Sequence, residues 1–150
     1  MVFLEVDGSI FRMSHGEIVN SFFSTISYNL EKKWGARFPY TMKKLYKGKL
    51  KYRDIDKARR ELLVIKEELK DFPPSKAIYD FWDLSQQVPW NIEGIPEITD
   101  LSNYFITENG YNYFETILRV FELAEQEKQD VIIRSIDLDD PSVLHFDCRQ

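Results

Sequence analysis

Cysteine and histidine are nearly missing from this chain: Cys148, His15 and His145 are the whole complement in 150 residues. One cysteine forms no internal disulfide, so the core must hold the fold; a lone thiol fits a reducing compartment, and Cys148 reads as a free surface group. Two distant histidines and one cysteine give no zinc spacing. Neither histidine lies in a motif that pairs a nucleophile with a base. The six glycines are scattered singly, and neither GxGxxG nor GxxxxGK[ST] occurs, which removes the common phosphate loops. Asp137, Asp139 and Asp140 lack the glycine and terminal glutamate of a calcium loop. Glu67 and Glu68, adjacent in a predicted helix, point in different directions and share no acid-base site. No apolar run approaches the roughly 20 residues of a membrane span. The opening MVFLEVDGSIF lacks the basic region and unbroken apolar stretch of a signal peptide. The expectation is a soluble, cytoplasmic, non-enzymatic chain with no catalytic residues, no metal site and no cofactor.

What the chain has is charge of both signs, unevenly placed. Residues 32–60 hold twelve of the 20 Lys and Arg but two of the 25 Asp and Glu, so this segment is net +10 and the remainder net −15. A surface divided in this way attracts and orients charged partners during encounter. Binding is therefore the first function to consider.

The length fits one domain that buries about two-thirds of its unfolded surface. Asp7-Gly8 between Phe3–Val6 and Ile10–Met13 predicts a β-hairpin. Ser14 with Glu17 has capping-box spacing, and Ile18, Phe22, Ile26 and Leu30 trace a helix that Gly35 would stop. Pro39 with Met42, Leu45 and Tyr46 predicts a short second helix ending near Gly48. Asp54 is the expected N-cap of a third, in which Ile55, Ala58, Leu62, Ile65 and Leu69 form one face before Phe72-Pro73-Pro74 ends it. Strands are expected at Lys76–Trp82 and Leu101–Thr107, separated by an irregular connection at 84–100 in which Pro89, Gly94 and Pro96 are spread among polar residues. Ile117, Leu118, Phe121 and Ala124 mark a fourth helix and Val131–Ile133 a buried strand, so residues 101–133 fit a right-handed crossover between parallel strands. The expected fold class is α+β: a mixed, largely antiparallel sheet of 4–5 strands starting with an N-terminal β-hairpin, with about four helices packed mainly on one face. Residues 1–138 form the expected single domain and 139–150 a polar C-terminal tail.

Two surfaces are candidates for a partner. Tyr79, Asp80, Trp82, Asp83, Trp90 and Glu93 lie in or beside the long connection, and aromatic rings flanked by carboxylates are good hot-spot material. Trp82, after a strand-like run, suits core anchoring better than Trp90, which sits beside Pro89. The alternative is the basic surface of Lys43, Lys44, Lys47, Lys49 and Lys51, interleaved with Tyr40, Tyr46 and Tyr52. It could contact phosphates, and a nucleic-acid-binding or regulatory module using segment 32–60 is the second functional reading. A sequence pI near 5.1 weighs against nucleic acid as a partner.

Four phrases resemble one known family: SFFSTISYNLE (21–31), WGARFPY (34–40), FPPSKAIYDFWDLSQQVPW (72–90) and LSNYFIT (101–107). Together they resemble immunity proteins of bacterial polymorphic toxin systems, in the group called immunity protein family seventy, and the likeness covers most of 3–136. The resemblance implies a small cytoplasmic immunity-type domain that binds a cognate protein toxin and blocks it sterically or electrostatically, without catalysis. It transfers no catalytic residue and no contact pattern. Nuclease-like toxins with basic clefts would favour the acidic aromatic loop; an acidic toxin would favour the lysines.

Overall fold

The computed structural model describes residues 1–136 of the chain. Asp137, Asp139, Asp140, His145, Cys148 and the expected polar tail lie outside the described residues.

The hairpin forms as expected, with β1 at Val2–Val6 and β2 at Ser9–Arg12. Asp7 and Gly8 take φ of 47° and 83°, the left-handed pair that matches strand twist in a two-residue turn. Two further strands, β3 at Lys49–Leu50 and β4 at Val131–Ser135, complete a four-stranded antiparallel sheet of order β2-β1-β4-β3. The last strand inserts at the centre, placing Leu4 opposite Ile133 and Leu50 opposite Val131. Arg134 Nε meets Glu5 Oε1 at 2.9 Å across the β1–β4 pair. The Met1 and Ile136 backbones exchange hydrogen bonds of 3.1 and 2.8 Å.

Three α-helices, α1 at Gly16–Leu30, α2 at Ile55–Leu69 and α3 at Tyr113–Glu127, join one π-helical segment, Tyr40–Leu45. Period-two alternation sends Val2, Leu4 and Val6 into the main core with these helices, while Phe3 and Ile10 form a smaller cluster with Ile136. The α2 stripe is as the spacing predicts: Ile55, Ala58, Leu62, Ile65 and Leu69 are all buried. Each large one contributes about 1.5–3 kcal/mol by leaving water.

Several local expectations are corrected. Ser14 does not cap α1. Its carbonyl accepts from Val2 N at 2.8 Å and its hydroxyl donates to Ile106 O at 3.3 Å, so it closes the sheet instead, and His15 occupies the cap position without a side-chain bond. The helix also stops before Gly35, because Glu31 turns extended at φ −122°. Gly35 is still required: its φ is 75°, and a Cβ there would lie 2.5 Å from Lys43 Cε. Asp54 precedes α2 through a 3₁₀ turn at Tyr52–Asp54 and makes no side-chain cap.

The expected strands at 76–82 and 101–107 are not strands. The first begins with a 3₁₀ turn at Pro74–Lys76, and the second makes a single bridge, Ile106 to Asn112. With neither strand in the sheet, the crossover between parallel strands does not exist, and every pairing among the described residues is antiparallel. In the second segment the buried rings of Tyr104 and Phe105 meet with centroids 4.8 Å apart, a contact that the opposite faces of a strand would prevent. The two-residue β3 gave no readable periodicity.

Candidate partner-binding surface

Residues 77–106 cross the surface without a ladder, and the helix beneath supplies the missing backbone partners. On α1, Ser21 Oγ donates to Ile78 O at 2.6 Å, Ile78 N donates to Thr25 Oγ1 at 2.9 Å, and Phe81 N donates to Ser24 Oγ at 3.0 Å. Asn29 Nδ2 reaches Lys76 O at 3.0 Å. These hydroxyls answer the requirement that covered N–H and C=O groups be paired. A strand-like composition at 76–82 is thereby held as a strap.

The strap ends in an aromatic stack. Trp34, from the turn after α1, lies under Trp82 with ring centroids 5.2 Å apart at 30°, and meets Phe81 edge-on at 5.2 Å. Trp34 also packs edge-on against Tyr46 at 4.8 Å and donates from Nε1 to Met42 O at 2.9 Å. Trp82 is 65% exposed beside Leu84 at 57%, so its outer face is open to solvent. The expected roles of the two tryptophans are exchanged. Trp90 is half-buried, donates to the Tyr104 hydroxyl at 2.6 Å and packs against Tyr79 at 5.8 Å. A platform from Trp34, remote in sequence, lets Trp82 stand out; the pairing with Tyr104 draws Trp90 in.

The carboxylates around the stack are mostly occupied in shaping the loop. Asp80 Oδ1 accepts from Trp82 N at 3.0 Å. Asp83 accepts from the Ser85 hydroxyl at 2.6 Å and from Gln86 at 3.0 Å, bonds that hold its carboxyl below the usual range. The Tyr79 hydroxyl donates to Glu17 at 2.8 Å, and that bond pushes the phenol up. Glu93 is exposed, with its backbone N–H turned onto Asn91 Oδ1. Five of the six named residues therefore fall into two neighbourhoods, Trp82 with Asp80 and Asp83, and Trp90 with Tyr79, while Glu93 joins neither.

Farther along, Asp100 and Asn103 stiffen the loop. Asp100 accepts from both the Ser102 amide and hydroxyl, while Asn103 Oδ1 accepts from Thr99 N at 2.9 Å and Asp100 N at 3.2 Å. Partial burial pushes the Asp100 carboxyl up, but the Ser102 bonds outweigh it and leave the group below its ordinary value. A carboxyl depressed on folding adds stability above its unfolded value, near pH 4, and loses it as pH falls through the folded value. The stability gap between wild type and Asp100→Asn is expected to be full at pH 5 and to shrink steadily below about pH 4. Urea unfolding from pH 2.5 to 6 reads this, and a gap independent of pH would contradict the assignment.

The basic segment divides. Arg59 pairs with Asp56 and Glu125, Arg60 with Asp56, and Arg37 with Glu68. Lys43, Lys44, Lys47, Lys49, Lys51 and Arg53 instead line one cleft of about 320 Å³ with Asp54. Lys49 reaches Asp130 at 3.5 Å. The expected lysine surface is thus drawn together, and Arg53 joins it. His15 is exposed and 3.8 Å from Glu108. Among the described residues no group of three His, Cys, Asp or Glu side chains is placed to hold a metal ion, and no helix is long and apolar enough to cross a membrane.

The family model described as immunity protein 70 matches residues 4–133, most of the chain. The chain belongs to the immunity protein 70 family. Membership implies a toxin as partner and agrees with the phrases at 21–31, 34–40, 72–90 and 101–107, all inside the match. No curated protein and no solved structure is significantly similar to this immunity protein 70 member. Sequence reasoning missed Trp34 as part of the surface. The signal available was its place in WGARFPY, but nothing local ties that phrase to Trp82.

Proposed function

We propose that this protein neutralises a cognate toxin in the cytoplasm by binding it stoichiometrically, as a blocker and not a catalyst. The loop surface of Tyr79, Asp80, Trp82, Asp83, Trp90 and Glu93 makes the principal contact. The observation that carries this reading, beside family membership, is Trp82: a large ring largely in water, already stacked on Trp34, with its backbone N–H held by Asp80. A ring held in its bound position loses little freedom on association, the condition under which a tryptophan becomes a hot spot. Asp83, next to Trp82 in the chain, and the exposed Glu93 farther along the loop suit a basic toxin surface and would speed encounter with one.

The test is co-expression with the toxin encoded beside this gene. Wild type is expected to protect cells and to co-elute with the toxin as a stoichiometric complex. Trp82→Ala should weaken binding by about 2–4 kcal/mol, some 30- to 1,000-fold. Absence of protection by wild type would end the reading. A second reading rests on the lysine cleft: an acidic toxin group would enter there, and Lys44→Glu with Lys47→Glu would then abolish binding while Trp82→Ala leaves it intact. Retention on DNA or RNA that falls with salt would instead point to nucleic acid.

A further inference from the structure

Behind Trp90 the surface opens into a second, larger concavity. A cleft of about 620 Å³ lies between residues 90–106 and the starts of α1 and α3, within the size range of sites that enclose a ligand. Its apolar lining includes Ile18, Trp90, Ile95, Ile98, Tyr104 and Ile106. Ile95 and Ile106 are 43% and 38% exposed, so apolar surface is held open to water. Glu97 and Glu115 supply its carboxylates, and no Lys, Arg or His is among the described lining residues.

The walls are built to stay open. Asn103 fastens the Thr99–Asp100 backbone, and its Nδ2 donates to Thr99 Oγ1 at 2.9 Å. Asn112 caps α3 by accepting from Phe114 N at 2.8 Å and donates to Ser102 O at 3.0 Å, which ties the cleft's floor to its wall. Trp90 is locked by its bond to Tyr104. Such a preformed apolar site loses little on binding to rearrangement of its own walls. The negative rim decides between occupants: a fatty acid would bring its carboxylate against Glu97 and Glu115, whereas an apolar side chain beside a cation satisfies both floor and rim.

We infer that this cleft receives an apolar side chain of the toxin that is flanked in its own chain by Lys or Arg, the side chain entering among the isoleucines and the cation meeting Glu97 and Glu115. The inference rests on the toxin reading above and adds a second anchor, contiguous with the first through the Tyr79–Trp90 contact. Exposed positions allow a test that leaves the fold intact: Ile95→Ser trims the floor, and Glu97→Lys with Glu115→Lys reverses the rim. The probe is the toxin domain encoded beside this gene, titrated into protein carrying 5-fluorotryptophan, whose three tryptophans are separable by single Trp→Phe changes.

The expected result is a shift of the Trp90 resonance at saturation, at least tenfold weaker binding by Ile95→Ser, and a larger, salt-sensitive loss for the rim pair. Wild type that binds and protects, with both variants within twofold of it, overturns the cleft while sparing the toxin reading. Wild type that neither binds nor protects overturns both. A Trp90 shift produced by laurate and not by the toxin reassigns the cleft to a small amphiphile and also overturns the inference.

Discussion

Trp34→Ala is expected to cost about 3 kcal/mol of stability, within the range for deleting a well-packed aromatic side chain. It should also loosen the partner surface in the same step. The indole touches three rings from two separate pieces of chain: Tyr46 after the π-helical segment, and Phe81 and Trp82 of the strap. Its N–H also satisfies the Met42 carbonyl at 2.9 Å, an acceptor left without that partner in the variant. Removing the ring takes the platform from under Trp82, whose other face is already in water. Trp34→Phe keeps most of the stack and loses the hydrogen bond, so a cost of about 1–2 kcal/mol is expected there. Urea unfolding gives the stability difference, and the 5-fluorotryptophan resonance of Trp82 reports the surface. A Trp34→Ala protein with unchanged stability and an unchanged Trp82 signal would show that the stack is incidental.

Elements set by local periodicity are legible in the sequence. The α2 stripe from Ile55 to Leu69, the turn at Asp7-Gly8 and the helix through Ile117 and Phe121 each follow from spacing or from a residue's φ preference. Partnerships across the fold are not. The segment Lys76–Trp82 has the composition of a strand, but Ser21, Ser24 and Thr25 of α1 take its backbone bonds, and nothing in the segment records that competition. The position of β4 between β1 and β3, and hence the antiparallel pairing throughout the described sheet, depends on residues 131–135 meeting both 2–5 and 49–50, far away in sequence.

The candidate surface shows the same division. Its residue types were readable from aromatics beside carboxylates, and the lysine set from charge alone. Which tryptophan stands out was decided by Trp34 and Tyr104, remote from the rings they hold. The cleft behind Trp90 gave no sequence signal, because Ile18, Ile98 and Ile106 belong to three different stretches. Arg37 and Arg59 of the basic segment are met by Glu68 of α2 and Glu125 of α3, whereas the cations at 43–53 are gathered around one cleft, where their fields add.

Glu31→Ala should destabilise the protein by about 2–4 kcal/mol, more than a surface carboxylate usually can. The reason is its acceptor geometry. Oε1 receives Gly35 N at 3.0 Å, and Oε2 receives Arg37 N at 3.0 Å and Phe38 N at 2.9 Å, so one side chain holds the turn that follows α1. Bonds from N–H groups to an ionised acceptor are roughly twice as strong as neutral ones, and Gly35 and Phe38 are buried residues whose amides would be left with poor access to water. The turn positions Trp34 beneath Trp82 and leads into Pro39 and the π-helical segment that carries Lys43 and Lys44. Both candidate surfaces therefore hang on it. Glu31→Gln separates hydrogen bonding from charge: its single amide oxygen can serve Arg37 and Phe38, but its NH₂ then faces the Gly35 N–H, so about half the loss should remain. Amide exchange at positions 35, 37 and 38, followed with urea unfolding, reads the two parts separately. If all three amides keep their protection in Glu31→Ala, the carboxylate does not hold the turn, and the coupling of Trp34 to the π-helical segment must come from its hydrogen bond to Met42 and its packing on Tyr46.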